Sequence, residues 1–415
     1  MSAGEQAGDR TGPGDPAALR PMSGVRVLDC ATFIAGPTAA TLLGEFGAEV
    51  IKVELPDTGC PLRKFGTRTE AGMTLPWLSE SRNKKSLTLD LRTPEGAAIL
   101  KDLVAKSQVL VENFQPGTLE GWGLGWETLR AINPSLVMVR ISAYGQTGPY
   151  SGRPGFGRIA NAFGGISYLA GYPDRPPVTP GSATLPDYLS GIYGAVGALM
   201  ALRVAERGGP GQVVDIGLYE SVFRILDELT PAYAYRGYVR ERMGPGTVNV
   251  VPHSHYPTKD GKWIAIACTN DKIFQRLADL MEQPELGGDG RWGTIARREA
   301  EREAVDAHVG AWTARFGRDE LMQMCDRGQV PCGPLLSIAE IFEDPHYAAR
   351  GNIARIAHDV LGEVAVPAVV PRLTGTPGSI ESLGPELGSH TEEILGRLLD
   401  LDDARIAELR DRGVI

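Results

Sequence analysis

Apolar positions in the first third of this chain recur alternately with the period of a strand and the period of a helix. VRVLD reads as a buried strand, GPTAATLLGEFG as a short helix and EVIKVE as a second strand, together one β-α-β unit. The same alternation continues through SLTLDL (86–91), a helix opened by TPEG, VLVEN (109–113), WETLRAINP and LVMVRISA. Strands and helices alternating over residues 24–143 predict an open parallel sheet in a large α/β domain, with ligand sites at the carboxyl ends of its strands. QVVDIGLYESVFRILDEL predicts one more strand feeding a helix, and the texture changes around residues 236–262. KWIAIAC is strand-like, TNDKIFQRLADLM is a capped amphipathic helix, and RWGTIARREAEREAVDAHVGAWTARF is a charged helix. The pattern predicts a tail over 1–20, a large α/β domain over 21–224, a smaller α+β domain over 225–340, and a closing part over 341–415 that returns to the large domain. That part holds strand-like VAVPAVVPRLTGTPG and a final helix from HTEEIL to RDRG.

Within the large domain lies a helix with an unusual face. From Asp187 onward, Gly191, Gly194, Ala198 and Ala201 recur at steps of three and four, so one side has almost no side chains and a neighbouring backbone can come close. Asp187 stands where the Gly/Pro-rich loop before this helix ends. There, free N–H groups and the positive end of the helix dipole favour an ionised carboxylate. The same placement also describes an ordinary N-cap, and local sequence leaves both readings open.

Composition narrows the classes. The 415 residues suffice for two domains, and 42% hydrophobic with 22% charged residues is ordinary for a globular protein. A net charge of −9 argues against a nucleic-acid or anionic-membrane surface. No run of 18 apolar residues predicts a membrane span. The N-terminal stretch lacks the apolar core of a secretory signal and reads as a disordered tail, so a cytoplasmic protein is expected. Five cysteines without a CxxC pair fit reduced thiols, and Cys332 in VPCGP has no nearby histidine to activate it. GFGRIA matches a loose dinucleotide fingerprint but opens no β-α-β unit, and His253 and His255 lack a third ligand, so no metal is expected. GxSxG, Walker A, HExxH and kinase motifs are all missing. Asp187 is left without a rival as a nucleophile.

Seven blocks in order, PMSGVRVLDCATFIAGPTAATLLGEFGAEVIKVE, SRNKKSLTLDLRTPEG, VLVENFQPGTLEGWGL, ISAYGQTGPY, YPTKDGKWIAIA, VPCGPL and LGSHTEEIL, resemble the class III CoA-transferases, the formyl-CoA transferase and carnitine CoA-transferase family. The resemblance runs from about residue 21 to the C-terminus. It implies a large domain built from both ends of the chain, a small middle domain and an interlocked homodimer. It also implies that Asp187 is the nucleophile, passing through an aspartyl anhydride and an aspartyl-CoA thioester, with a CoA thioester as substrate and no permanently bound cofactor. The loop Phe33 to Pro37 matches the family's CoA-contacting loop, with Ala35 the best match. Leu89, Asp90, Leu91 and Arg92 match the segment near the adenine, and Asn113 and Phe114 match the next strand end. Gly244 and Gly246 fall where relatives carry a glycine-rich lid, although an ordinary turn accounts for Gly-Pro-Gly equally well. Ile34 and Gly157 stand where the formyl-CoA branch has polar or acidic side chains, which disfavours formyl and oxalyl groups.

The related 2-methylacyl-CoA racemases pair this aspartate with a histidine, which the stretch GFGRIAN lacks. A non-catalytic acyl-CoA-binding protein is the remaining alternative. The tract from RERMGPG to AIACT is most similar to the branch moving CoA from succinyl-CoA to malate or citramalate. Arg158 and Arg242 are the cations chosen to meet a distal carboxylate, because guanidinium pairs with it bidentately.

Overall fold

The computed structural model describes residues 19–182 and 184–415; most of the expected tail, residues 1–18, lies outside the described residues. Six strands form one sheet: β1 (Arg26–Asp29), β2 (Glu49–Glu54), β3 (Lys84–Thr88), β4 (Val109–Glu112), β5 (Val137–Ser142) and β6 (Gln212–Gly217). Their order is β3-β2-β1-β4-β5-β6, and every neighbouring pair is parallel. The chain leaves β1 toward one edge and β4 toward the other. The loops at the carboxyl ends of these two strands therefore part and open a crevice at the switch point.

Chain contacts divide the protein into two compact units. The first holds the described residues up to Ser167, then Gly181–Tyr235 and Gly351–Ile415; the second holds Tyr168–Pro180 and Arg236–Arg350. In the first unit, alternate strand residues point to opposite faces of the sheet. Leu28, Ile51, Leu110 and Met138 bury one face with Ile394, Leu398, Ile406 and Leu409 from the closing helices. Val27, Val50, Val111 and Val139 bury the other with Ala35, Ala40 and Leu43 of the helix Ala35–Glu45 and Ala198 and Ala201 of the helix Leu185–Ala205. Those last two helices meet at backbone distance. A Cβ added to Gly191 would lie 2.6 Å from Thr38 Cβ and 2.9 Å from the Ala35 carbonyl oxygen, and one on Gly194 would lie 3.2 Å from Ala39 Cβ. The small-residue face thus fixes the height of Asp187 against the loop after β1.

Leu185–Ala205 is long and apolar enough, by length and composition, to cross a membrane. Glycine and alanine raise that apolar character without adding bulk. In this fold the Gly/Ala side packs on the sheet and on the helix Ala35–Glu45.

The second unit carries the antiparallel sheet β7 (His253–Pro257), β8 (Trp263–Ala267) and β9 (Cys332–Pro334). Its core joins Tyr256, Ile264 and Ile266 to Phe274, Leu277, Val309, Trp312 and Leu321 from flanking helices. Back in the first unit, β10 (Ile353–His358) and β11 (Gly362–Pro367) form an antiparallel hairpin.

Three expected elements differ. β3 stops at Thr88 instead of Leu91, because Asp90 turns the chain: its carbonyl accepts from Thr93 N–H at 3.2 Å and its carboxylate from Arg92 N–H at 3.0 Å. The charged tract 291–316 is two helices, Ile295–Ala300 and Arg302–Thr313, separated at Glu301 with φ −121° and ψ 32°. The last helix is also two, Thr391–Leu399 and Asp403–Asp411. Asp400 takes φ 56° between them and Asp402 caps the second by accepting from Arg405 N–H at 2.8 Å.

Candidate active site

The crevice between β1 and β4 begins with a buried electrostatic lock. Asp29 ends β1 fully buried, with Lys52 of β2 and Lys84 of β3 equally enclosed. Lys84 Nζ donates to Asp29 Oδ2 at 2.8 Å and to the Pro37 carbonyl at 2.9 Å. Lys52 Nζ lies 3.4 Å from Asp29 Oδ1 and donates to the Ala31 carbonyl. Burial opposes the Asp29 charge, but the two lysines outweigh it and hold its carboxyl below the usual range. The loop Ala31–Pro37 is therefore gripped at both ends by side chains from three strands.

Within that loop Phe33 adopts φ 59°, a left-handed conformation rare for a bulky residue. Its ring packs edge-on to Phe65 and Phe156 at 6.2 and 6.4 Å. Strain of this kind persists where surrounding structure enforces it, commonly at functional sites. Asn113, just past β4, accepts from Thr32 N–H at 2.7 Å and donates to the Thr32 carbonyl at 2.8 Å, lacing the two strand ends together. Glu112 accepts from Phe114 N–H at 2.8 Å and from Arg140 Nε at 2.6 Å, which fixes the next turn.

Two cavities flank this laced wall. One, of about 340 Å³, is lined by Leu89, Leu91, Arg92, Thr32, Lys64, Phe114 and Trp122 among others. The second, of about 250 Å³, is lined by Thr32, Phe33, Ala35, Asn113, Phe114, Ser142, Arg153, Phe156 and Asp187. Thr32 and Phe114 line both. An apolar slot with cations at its rim thus adjoins a smaller chamber holding one carboxylate.

Asp187 is not the cap of its helix. Thr184 holds that position, Leu185 and Pro186 follow, and Asp187 is the third residue of the first turn. The expectation that the helix terminus would favour its ionised form also needs correction. Burial pushes its carboxyl up to about 6, and only a hydrogen bond with its own backbone opposes this. Desolvation exceeds the dipole because the carboxylate faces a largely apolar chamber in which no cation pairs with it among the described residues. The group is still mostly ionised at pH 7, and it is more basic than an ordinary aspartate. A rate that needs the carboxylate should therefore be flat above about pH 7 and fall tenfold per pH unit below about 6; a kcat/KM profile that stays flat to pH 5 would contradict this.

The other sequence-selected residues divide by location. Leu89, Leu91, Arg92 and Phe114 meet in the larger cavity, while Ala35 and Asn113 join Asp187 in the smaller one. Asp90 lines neither; it grips Arg92 through two hydrogen bonds of 2.8 and 2.7 Å. Ile34 packs beside Cys60, Leu62 and Trp77. Arg158 sits on the exposed side of the helix Gly157–Phe163 and does not line the Asp187 cavity. Arg242, Gly244 and Gly246 belong to the second unit. There Arg242 donates to the carbonyls of Tyr168 at 3.0 Å and Tyr172 at 3.3 Å. Gly244 has φ 60° and donates its N–H to the Gly171 carbonyl at 2.9 Å, so Gly244-Pro245-Gly246 is part of a turn in which a Cβ on Gly244 would strike the Tyr172 ring at 2.8 Å.

Sequence reasoning missed Thr32, Lys64, Ser142 and Arg153. Ser142 closes β5, the third strand end reaching the crevice, and that position was the available signal. All five cysteines are free, and Cys332 Sγ lies 3.8 Å from Met322 Sδ. Among the described residues no group of three His, Cys, Asp or Glu side chains is placed to hold a metal.

Comparison with known proteins places the chain in a family. Residues 22–391 match the model of CoA-transferase family III. The chain is 53% identical to the alpha subunit of the succinyl-CoA–L-malate CoA-transferase of Chloroflexus aurantiacus, over 97% of this chain and 94% of that one. It is 54% identical to the beta subunit, over 95% and 98%. The succinyl-CoA–D-citramalate CoA-transferase of the same organism is 47% identical, over 95% and 98%. A crystal structure of a CaiB/BaiF family protein from Brucella suis superposes with a TM-score of 0.80 at 34% identity, covering 91% of this chain and 99% of the other. With a parallel sheet of switch-point order, two adjoining cavities and a matched family model over most of its length, the chain belongs to CoA-transferase family III and is an enzyme of that class, acting on CoA thioesters.

Proposed function

We propose that this enzyme moves CoA from succinyl-CoA to a hydroxy-dicarboxylate of the malate or citramalate type, with Asp187 as the nucleophile. The observation that carries the reading is the shared wall. Asp187 lies in a chamber that meets, at Thr32 and Phe114, an apolar slot rimmed by Arg92 and Lys64. That arrangement suits a thioester whose nucleotide end occupies the slot while its carbonyl enters the chamber. The activities for which the Chloroflexus relatives are named support the choice of donor and acceptor.

The Asp187 carboxylate attacks the thioester carbonyl, the C–S bond breaks, and a mixed anhydride and CoA thiolate form. The thiolate attacks the aspartyl carbonyl of the anhydride and releases succinate, leaving an aspartyl-CoA thioester. The acceptor carboxylate attacks that thioester to give a second anhydride. The returning thiolate attacks its acyl carbon, which yields the new acyl-CoA and regenerates Asp187. Water must be kept out, since hydrolysis destroys either anhydride; Phe33 and Phe156 bring apolar surface to the chamber.

We further assign a homodimer working in the cytoplasm. The outer side of Leu185–Ala205 leaves Ile192, Val196, Leu199, Met200 and Val204 between 41% and 68% exposed, an apolar stripe of the kind a second copy covers. Five free thiols suit a reducing compartment.

Initial rates with succinyl-CoA and L-malate test the assignment. The proposal expects malyl-CoA and succinate in equal amounts, with parallel double-reciprocal lines from the covalent enzyme form. Succinyl-CoA hydrolysis without any acceptor dependence would refute it.

A further inference from the structure

The Asp187 chamber contains one unanswered positive charge. Among the residues lining it, only Asp187 and Arg153 are charged. Arg153 makes no ion pair among the described residues; instead its guanidinium carbon lies over the Tyr150 ring, 3.7 Å from the centroid. Tyr150 is itself held edge-on by Tyr144 and Phe163 at 6.0 and 5.9 Å, and the turn is closed by Arg153 N–H donating to the Tyr150 carbonyl at 2.9 Å. A stacked guanidinium has its faces occupied while its N–H edge stays available in the plane, which is the geometry a carboxylate needs. A second, independent observation shows that the chamber expects a polar guest. Ser142 is 7% exposed, its hydroxyl has no hydrogen-bond partner, and it lines the same cavity. Buried hydroxyls are seldom left unsatisfied.

We propose that Arg153 is the specificity residue of the chamber, pairing with the distal carboxylate of a dicarboxylic acyl group while Ser142 donates to a polar atom nearer the reacting carbonyl. The inference rests on the Asp187 acyl-transfer reading above and names the residue that selects its substrate class. Because donor and acceptor acyl groups occupy the chamber in turn, one arginine selects both. A monocarboxylic group leaves the guanidinium unpaired opposite a methyl group. Arg158 and Arg242, the cations selected from sequence, do not line this cavity.

The test compares isosteric pairs that exchange a carboxylate for a methyl: succinyl-CoA against butyryl-CoA as donor, and L-malate against 3-hydroxybutyrate as acceptor. Native enzyme, Arg153→Gln and Arg153→Lys are assayed for kcat/KM with each. Native enzyme is expected to prefer the dicarboxylic member of both pairs. Arg153→Gln should reduce each preference by about tenfold or more, chiefly through KM, with Arg153→Lys between the two. If native enzyme transfers no CoA, or shows no preference within either pair, the dicarboxylate reading fails and this inference with it. If native enzyme shows the preference and Arg153→Gln keeps it, or loses activity equally on both members, Arg153 has a structural role only and the inference alone is overturned.

Discussion

Asp187→Asn should abolish CoA transfer and at the same time make the protein more stable. The first effect follows from the proposed mechanism: Asp187 is the only carboxylate among the described residues lining the chamber, an amide could not form the anhydride, and loss of a covalent nucleophile lowers turnover by on the order of 10⁴-fold or more. The second follows from its environment. Burial raises the folded-state value from 3.8 to about 6, so at neutral pH the folded protein keeps a charge that the unfolded chain solvates better. The native state binds the extra proton between about pH 4 and 6, and the penalty is therefore complete above about 6 and absent below about 4. At one pH unit per 1.36 kcal/mol, relief of that penalty is worth at most about 3 kcal/mol at pH 7.5. Thermal unfolding of Asp187→Asn beside native enzyme should show the gain at pH 7.5 and its disappearance by pH 4. Equal or lower stability at pH 7.5 would mean that the carboxylate is not desolvated. A group kept at a cost to folding, on a helix locked against the loop after β1, is what a nucleophile requires.

Asp29→Ala should be the most damaging single change in the sheet. It leaves Lys52 and Lys84 charged, enclosed and without their shared partner, and removing one member of a buried ion pair costs about 3–5 kcal/mol. The damage reaches function, since the same lysines hold the carbonyls of Ala31 and Pro37 and so the loop that walls both cavities. Denaturant unfolding should show the loss, and CoA binding should weaken with it. Adding Lys84→Met to Asp29→Leu should recover part of the stability by removing one stranded charge. A loss under about 1 kcal/mol for Asp29→Ala would place these lysines in contact with solvent.

Strand-helix alternation made the parallel sheet legible, because both periods depend on which side of an element faces the core. VRVLD, EVIKVE, VLVEN and QVVDIG all lie at strands of the sheet. The same logic hid the lock beneath the site. A hydrophobic pattern treats lysine as a solvent-facing position, whereas Lys52 and Lys84 are turned inward by a carboxylate 23 and 55 residues away in sequence. Helix periodicity also ran through Glu301 and Asp400, since neither is a glycine or proline that would announce a break. Around the larger cavity, Leu89, Leu91, Arg92 and Phe114 stand in motif blocks that follow strand ends and could be picked out from them. The arginine of the Asp187 chamber could not: Arg153 faces the cavity and Arg158 does not because of the turn at Tyr150–Arg153, and no periodicity encodes the direction of a turn.

The central claim is that Asp187 becomes acylated, and chemical trapping tests it most directly. Native enzyme and Asp187→Asn are mixed with succinyl-CoA and hydroxylamine, digested, and read by peptide mass spectrometry. An activated aspartyl group is captured as its hydroxamate, and the account predicts that product at Asp187 in native enzyme only, dependent on succinyl-CoA. An unmodified Asp187 in enzyme that turns over, with undiminished transfer by Asp187→Asn, would contradict it.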